Sequence, residues 1–445
     1  MQVPGIERFI GPAKNNLIMK KVFFLCAGLI ALSTTMNAQD KEALKLEKQA
    51  IKEAEKTVKK ARQEYEMSIP NPTYGRKETN FEKLDGAKAL IEQAVNNKYV
   101  QNNKDTWKTA ADIIYKYYEK VKKETETDET KKPLEAEYGY QLATYTIKYD
   151  SLLDIMPKKN EMEVKMIEAQ YLPMTVQGVV SCLQAAQNLS NSEKQEDLIL
   201  GKKYSRLVDD ACTNARILRD YDKDKNTKQD WALYGKAFYA QSVAGIKGSN
   251  DDEVEAAYKK LYGTQYEPVA YSALINRYRD TNKDKYMKIL AYAAEHATGE
   301  NAPQFAFMYL QTLYTEGKKA ECAAQVDKFV SKFADNDNAV NAYLIKGQIL
   351  FEEKKYDEAE KVFAETAAKY PDEERAITMP AKCAWMKAQA SATKADREYA
   401  IKLFKELEAK YPSNPDYWGE ALYILYNNNG QNQLRDKYKK YYNPM

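Results

Sequence analysis

The stretch that decides the fold is residues 343–371, YLIKGQILFEEKKYDEAEKVFAETAAKYP. Its apolar and small residues, Tyr343, Gly347, Leu350, Tyr356, Ala359 and Phe363, recur at helical spacing, and Pro371 closes the run. Two antiparallel helices account for the pattern. Gly347 and Ala359 fall where the helices must approach closely, Tyr343, Leu350 and Phe363 fill the seam between them, and Pro371 stops the second helix. Lys346 and Thr366 depart from the pattern.

Outward from this unit the same arrangement returns. Ala400, Phe404, Leu407 and Pro412 form a second copy, and the Tyr370-Pro371 and Tyr411-Pro412 dipeptides lie 41 residues apart. A more degenerate unit holds Leu310, Leu313, Gly317, Cys322, Val326, Phe329 and Phe333. At the C-terminal end, Trp418, Leu425, Tyr438 and Tyr441 suit a capping pair of helices. Upstream, Trp231, Tyr234, Gly235 and Phe238 read as a first helix of the same kind, and Trp107, Ala110, Ala111 and Ile114 form a weaker version behind Ala87, Ile91 and Ala94. Self-similarity at this period resembles the tetratricopeptide repeat family, as an exported bacterial member. The resemblance implies an all-α fold, an α-solenoid of antiparallel helix hairpins in a tetratricopeptide-like superhelix. It implies nothing about activity, because function is not carried by a fold.

Composition agrees with that plan. A chain of 445 residues exceeds what one compact core usually supports, and a solenoid avoids the limit. Gly (17) and Pro (14) are few for this length, and sustained period-two alternation is missing, which disfavours β structure. Residues 41–66 read as a helix with Leu46, Ala50, Ala54, Val58, Ala61 and Tyr65 on one stripe, either a solvated first helix or a docking segment. Residues 68–80 and 124–132 read as linkers, and long helices are expected over 133–158, 161–189 and 192–220. The repeat register between about 124 and 230 is not assignable from the residues. The expected organisation is therefore a leader over 1–38, a charged helix and linker over 39–80, degenerate tetratricopeptide-like repeats over 81–300, and clearer repeats with a C-terminal cap over 301–445.

The leader has a chemistry of its own. From Met19, Lys20 and Lys21 precede the apolar run 22–32, and Ser33, Thr34, Thr35, Met36, Asn37 and Ala38 follow. This is the three-part layout of a secretory signal over 19–38, and its apolar run is roughly half of the ~20 residues that span a bilayer. Residues 1–18 lack signal character and read as a mis-assigned start. Removing 1–38 takes four of the 68 basic residues (Arg8, Lys14, Lys20, Lys21) and one of the 65 acidic ones (Glu7), leaving 64 of each. A neutral, evenly mixed surface lacks the basic field that nucleic-acid binding needs. The expected location is exported, in the periplasm or associated with the outer membrane, with peripheral envelope association and no transmembrane helix after cleavage. A lipid anchor is not expected, since Cys26 sits within the apolar run.

Catalytic constellations are hard to find. His296 is the single histidine, which removes paired-histidine metal sites, and it reads as an imidazole near a helix end. Gly-x-Ser-x-Gly elbows, phosphate-cradling Gly-rich loops and dinucleotide fingerprints do not occur. Asp220, Asp222, Asp224 and Asn226 alternate like calcium ligands, but Lys225 stands where glycine is needed and Trp231 where the bidentate carboxylate belongs. No catalytic residue, metal or cofactor is expected. Cys182, Cys212, Cys322 and Cys383 form no CxxC pair; buried free thiols are one reading and a Cys182–Cys212 bridge another. The 35 tyrosines suit helix seams and also surfaces that contact peptides or sugars.

These observations point to a non-enzymatic scaffold that binds a protein or peptide partner at the bacterial envelope. The alternative from another class is a glycan-binding envelope protein distantly like the SusD family, whose members also use tetratricopeptide helices with exposed aromatics. Those proteins typically carry a lipid-anchor cysteine at the mature N-terminus and a large non-repeat region, which this sequence does not display.

Overall fold

The computed structural model describes residues 38–153, 161–218 and 230–442. The signal reading over 19–38 falls outside them except for its last residue, and the acidic stretch Asp220 to Asn226 falls outside them entirely. Among the described residues there are eighteen α-helices and no strand. The chain is all-α, and consecutive helices pack on one another as in a repeat solenoid. It divides into two compact units, residues up to Ala257 and residues from Tyr258.

Unit 1 holds α1 (Ala38–Ser68), α2 (Phe81–Val95), α3 (Lys104–Thr125), α4 (Lys132–Leu153), α5 (Glu161–Leu189), α6 (Gln195–Asn214) and α7 (Trp231–Gly245), and the division falls within α8 (Asp251–Lys259). Starts are set by side chains that accept an otherwise unpaired backbone N–H: Asn80 from Lys83, Asn103 from Asp105, Asp230 from Leu233. The apolar stripe of α1 is buried only from Ala54 through Val58, Ala61 and Tyr65, while Leu46 is 62% exposed. The reason is length, since α1 has 31 residues and α2, on which it packs, has 15.

Both expected linkers are ordered. Residues 68–80 contain a 3-10 turn at Pro72–Tyr74, and the Asn80 N–H donates to the Ser68 carbonyl at 2.8 Å, pinning the ends together. Residues 124–132 contain a second such turn, Glu129–Lys131, capped by Asp128. The register that the sequence leaves open is set by glycines. Cβ atoms placed on Gly178 and Gly235 would lie 2.5 Å from the Gly139 carbonyl oxygen and 2.8 Å from the Asp209 amide nitrogen, so α4 meets α5 and α6 meets α7 at backbone contact. This corrects the reading of Trp231, Tyr234, Gly235 and Phe238 as a first helix, because α7 packs back on α6. A small residue marks close approach without saying which neighbour approaches.

Unit 2 continues with α9 (Glu267–Tyr278), α10 (Lys283–His296), α11 (Ala302–Thr315), α12 (Lys319–Lys332), α13 (Asn338–Glu352), α14 (Tyr356–Lys369), α15 (Glu374–Ser391), α16 (Lys394–Lys410), α17 (Gly419–Asn428) and α18 (Asn432–Tyr438). From α11 onward these form four hairpins. The connection inside each one uses a left-handed residue at an equivalent place: Gly317, Lys354, Ala392 and Gly430, with φ of 69°, 61°, 53° and 71°. The seam of the deciding stretch is as its spacing demands: Ala359 and Phe363 are buried, and the Phe363 ring lies where a Cβ on Gly347 would be. Tyr343 and Leu350 are only half-buried, because their helix also has a face turned away from α14. At the end of the unit, Trp418 is buried with Tyr438 and Tyr441 edge-on at 6.1 and 5.1 Å.

Two of the four left-handed positions are not glycine. An L side chain there costs roughly 1–2 kcal/mol, partly offset by the greater chain entropy that glycine loses on folding. Ala392→Gly is therefore expected to stabilise unit 2 by about 0.5–1 kcal/mol, read as a higher urea midpoint by circular dichroism. An unchanged or lower midpoint would show that the turn is unstrained.

Candidate binding groove

The first helices of successive hairpins, α11, α13 and α15, lie side by side, α13 touching both of the others. Their shared face carries a groove of about 680 Å³, a size typical of ligand sites. It is lined by Phe307, Gln311, Tyr314 and Thr315 of α11, by Asn338, Asn341, Ile345 and Gln348 of α13, and by Arg375 of α15. The spacings within α11 and α13 put each set on one helical stripe. These helices bury one stripe in the seam with their hairpin partners, which leaves the lining stripe for the groove.

The floor is apolar and the rim is polar. Phe307 is buried and meets the Phe329 ring of α12 at 5.7 Å, which fixes it from behind. Above it, Gln311 and Asn341 are exposed and Asn338 is half-buried. The side-chain amides of these three residues make no hydrogen bond among the described residues, and the Arg375 guanidinium has neither an ion pair nor a hydrogen bond there. Each amide offers both a donor and an acceptor, and the guanidinium offers a planar fork of donors.

Tyr314 and Gln348 are held differently. The Tyr314 hydroxyl donates to the Glu352 carboxylate at 2.7 Å, the Gln348 amide donates to the same oxygen at 3.0 Å, and Lys319 Nζ lies 2.8 Å from the other oxygen. Led by the bond from Lys319 and joined by those from Tyr314 and Gln348, these donors hold the Glu352 carboxyl down to about 2. Burial, followed by the bond to Glu352, pushes the Tyr314 phenol up to about 12. At neutral pH the groove therefore has a neutral tyrosine and a fully ionised, fully engaged carboxylate at its edge. Since the Gln348 nitrogen is committed to Glu352, its amide oxygen remains available to the groove.

The residues singled out in the sequence sit elsewhere. His296 ends α10, half-exposed, with its ring 4.2 Å from that of Tyr292 and Glu295 at 3.9 Å. Among the described residues no group of three His, Cys, Asp or Glu side chains is placed to hold a metal ion. Cys182, Cys322 and Cys383 are buried, as free thiols, and Cys212 is half-buried, with burial raising the Cys322 thiol to about 11 and the Cys383 thiol to about 12. Gln311, Asn338, Asn341 and Arg375 were not distinguishable in the sequence. The one signal of the three amides is helical spacing of uncharged polar residues in a chain whose other polar faces are dense in Lys and Glu, and Arg375 carries none.

No helix among the described residues is long and apolar enough to cross a membrane. No family profile matches the chain, and no curated protein matches it. Among solved structures it is similar to a circular tandem repeat protein with novel repeat topology and enhanced subunit contact surfaces, with 12% identity, 95% of each chain covered and a TM-score of 0.22. A likeness of that size carries no argument about shape or function.

Proposed function

We propose that this chain is an exported tetratricopeptide-type scaffold of the bacterial envelope, and that the groove across α11, α13 and α15 holds an extended segment of a protein partner. The observation that carries this reading is the row of unengaged side-chain amides, Gln311, Asn338 and Asn341, above an apolar floor of Phe307 and Ile345. A peptide backbone presents one donor and one acceptor per residue, which an amide can match in either orientation. An apolar floor then takes side chains from the segment. Export rests on the signal pattern at 19–38, and the repeat family on the hairpin spacing of residues 343–371.

The test is a photo-crosslinking amino acid placed at Asn341, with the same residue at exposed Lys361 on α14 as control, activated in the native envelope. Adducts with a discrete protein at 341 and none at 361 are expected. Labelled carbohydrate at 341 in place of protein would overturn the peptide reading in favour of glycan capture.

A further inference from the structure

The even mixture of charge breaks down at the C-terminal cap. After residue 38 the sequence holds 64 basic and 64 acidic residues, yet residues 421–442 carry four basic side chains, Arg435, Lys437, Lys439 and Lys440, against one acidic, Asp436. The basic residues lie on α18 and on the 3-10 turn that follows it, Lys439–Tyr441. Tyr438 is buried and Tyr441 half-buried, an i, i+3 pair turned inward against Trp418. Helical spacing then puts Lys437, Lys439 and Lys440 on the outward arc, where all three are exposed.

The carboxylates closest to this arc are taken. Asp436 accepts from Arg435 at 2.7 and 2.9 Å, and Glu408 of α16 accepts from the Tyr438 hydroxyl at 2.9 Å and is ion-paired with Lys405. Asp416 and Glu420 are exposed, and neither pairs with a lysine of the cap. Lys437, Lys439 and Lys440 make no ion pair among the described residues. Aromatic rings stand among them: Lys440 Nζ is 4.7 Å from the centre of the Tyr441 ring, and exposed Tyr442 stacks on Tyr423 of α17 at 4.3 Å. Trp418, which meets Tyr441, donates to the Tyr411 carbonyl at 3.0 Å, so exposed Lys410, with its Nζ 5.3 Å from the Tyr411 ring, comes to the same end of unit 2.

We propose that this end of the cap is a docking surface for anionic lipid headgroups, by which the chain lies against a membrane without crossing it. The proposal rests on the envelope reading for its setting and makes no use of the groove. Lysine is a flexible point charge with no fixed fork, so unpaired lysines spread over an arc suit the diffuse charge of a lipid surface better than one shaped phosphate or carboxylate. The one arginine of α18, whose fork would suit a single shaped anion, is committed to Asp436. Tyrosine belongs at headgroup level, where its ring meets hydrocarbon and its hydroxyl meets water. Tyr438 and Tyr441 lock the backbone beneath the lysines, so the charges are presented on a fixed support.

The experiment is co-sedimentation of the chain from Gln39 onward with phosphatidylcholine vesicles, with and without phosphatidylglycerol. Binding is expected only where phosphatidylglycerol is present, and it should vanish near 1 M salt, where the screening length falls to about 3 Å. Lys437→Gln, Lys439→Gln and Lys440→Gln together should weaken it on the order of a hundredfold, at roughly fivefold per lysine. The control combines Lys328→Gln, Lys361→Gln and Lys382→Gln, exposed on α12, α14 and α15, which removes the same charge elsewhere and should leave binding unchanged. Thermal melts of both triple variants check folding. No dependence on phosphatidylglycerol, or an equal loss in the two triple variants, would overturn the proposal. Soluble polyglutamate that displaces the chain from vesicles at equal charge concentration would overturn the lipid assignment in favour of an acidic protein. Each of these outcomes leaves the peptide reading of the groove standing, since the crosslink at Asn341 tests that separately.

Discussion

Gly178→Ala is expected to destabilise unit 1 by about 3 kcal/mol, the upper part of the range for overpacking a close-packed interior, read as a fall in the urea midpoint of helical ellipticity. The added methyl has no soft neighbour. It would lie 2.5 Å from the Gly139 carbonyl oxygen, 2.9 Å from the Ala143 amide nitrogen and 3.1 Å from the Ala143 Cβ, on the opposing helix. Backbone atoms in the middle of α4 cannot rotate away as a side-chain tip can, so α4 and α5 must separate. Separation would strain the hydrogen bond across the same seam, from Thr175 to Thr146 at 2.8 Å, and any shift of α5 would disturb its bond to α3, between Ser181 and Tyr118 at 2.9 Å. It would also loosen the contacts of Leu142, Val179 and Cys182, all fully buried. Gly86→Ala is the matched control. Its Cβ would find only the Glu64 carboxylate at 3.8 Å, so the better helix propensity of alanine should stabilise α2 by about 0.5–1 kcal/mol. If both variants melt alike, close helix approach is not what sets the register of unit 1.

Phe363→Ala is expected to cost unit 2 about 4 kcal/mol, within the range for emptying a buried aromatic site. The ring is 1% exposed and is packed with Leu344 of α13, Ala359 of its own helix, and Ala376 and Cys383 of α15. It is the bolt between three helices, two of which line the groove. Its seat exists because Gly347 has no side chain: a Cβ there would meet three ring atoms at 2.6, 2.7 and 2.9 Å. Gly347→Ala alone should therefore destabilise as well, and Gly347→Ala combined with Phe363→Leu should cost less than the two changes summed, a coupling of more than about 0.5 kcal/mol. Strict additivity by chemical denaturation would mean that ring and glycine do not share one space. Because α14 supports both α13 and α15, loss of the ring should also weaken whatever the groove holds.

The deciding stretch at 343–371 was legible for a physical reason. Two helices that must touch require a small residue on one and a large one on the other at matched heights, and Gly347 with Phe363 meets that demand within one hairpin. The same logic carried Cys322 with Val326 and Ala400 with Phe404, all buried as their spacing requires. It failed for Gly235, whose partner Asp209 lies on the preceding helix, and for Gly139 and Gly178, which pair across two helices with no aromatic to mark them. Leu46 shows another limit: an apolar stripe is written in the sequence, but whether a neighbour is long enough to cover it is not.

By itself, then, the sequence determined the helical content and the hairpin period of the C-terminal half, because each is a local spacing of residue types. Only the tertiary structure decided which helices face one another in unit 1 and where a ligand could lie. Gln311, Asn341 and Arg375 are separated by a full hairpin or nearly so, and nothing local distinguishes them from solvated polar residues. They become one surface because α11, α13 and α15 pack side by side, and the binding role proposed for them rests on their lacking a side-chain partner among the described residues, which is a property of the folded arrangement alone.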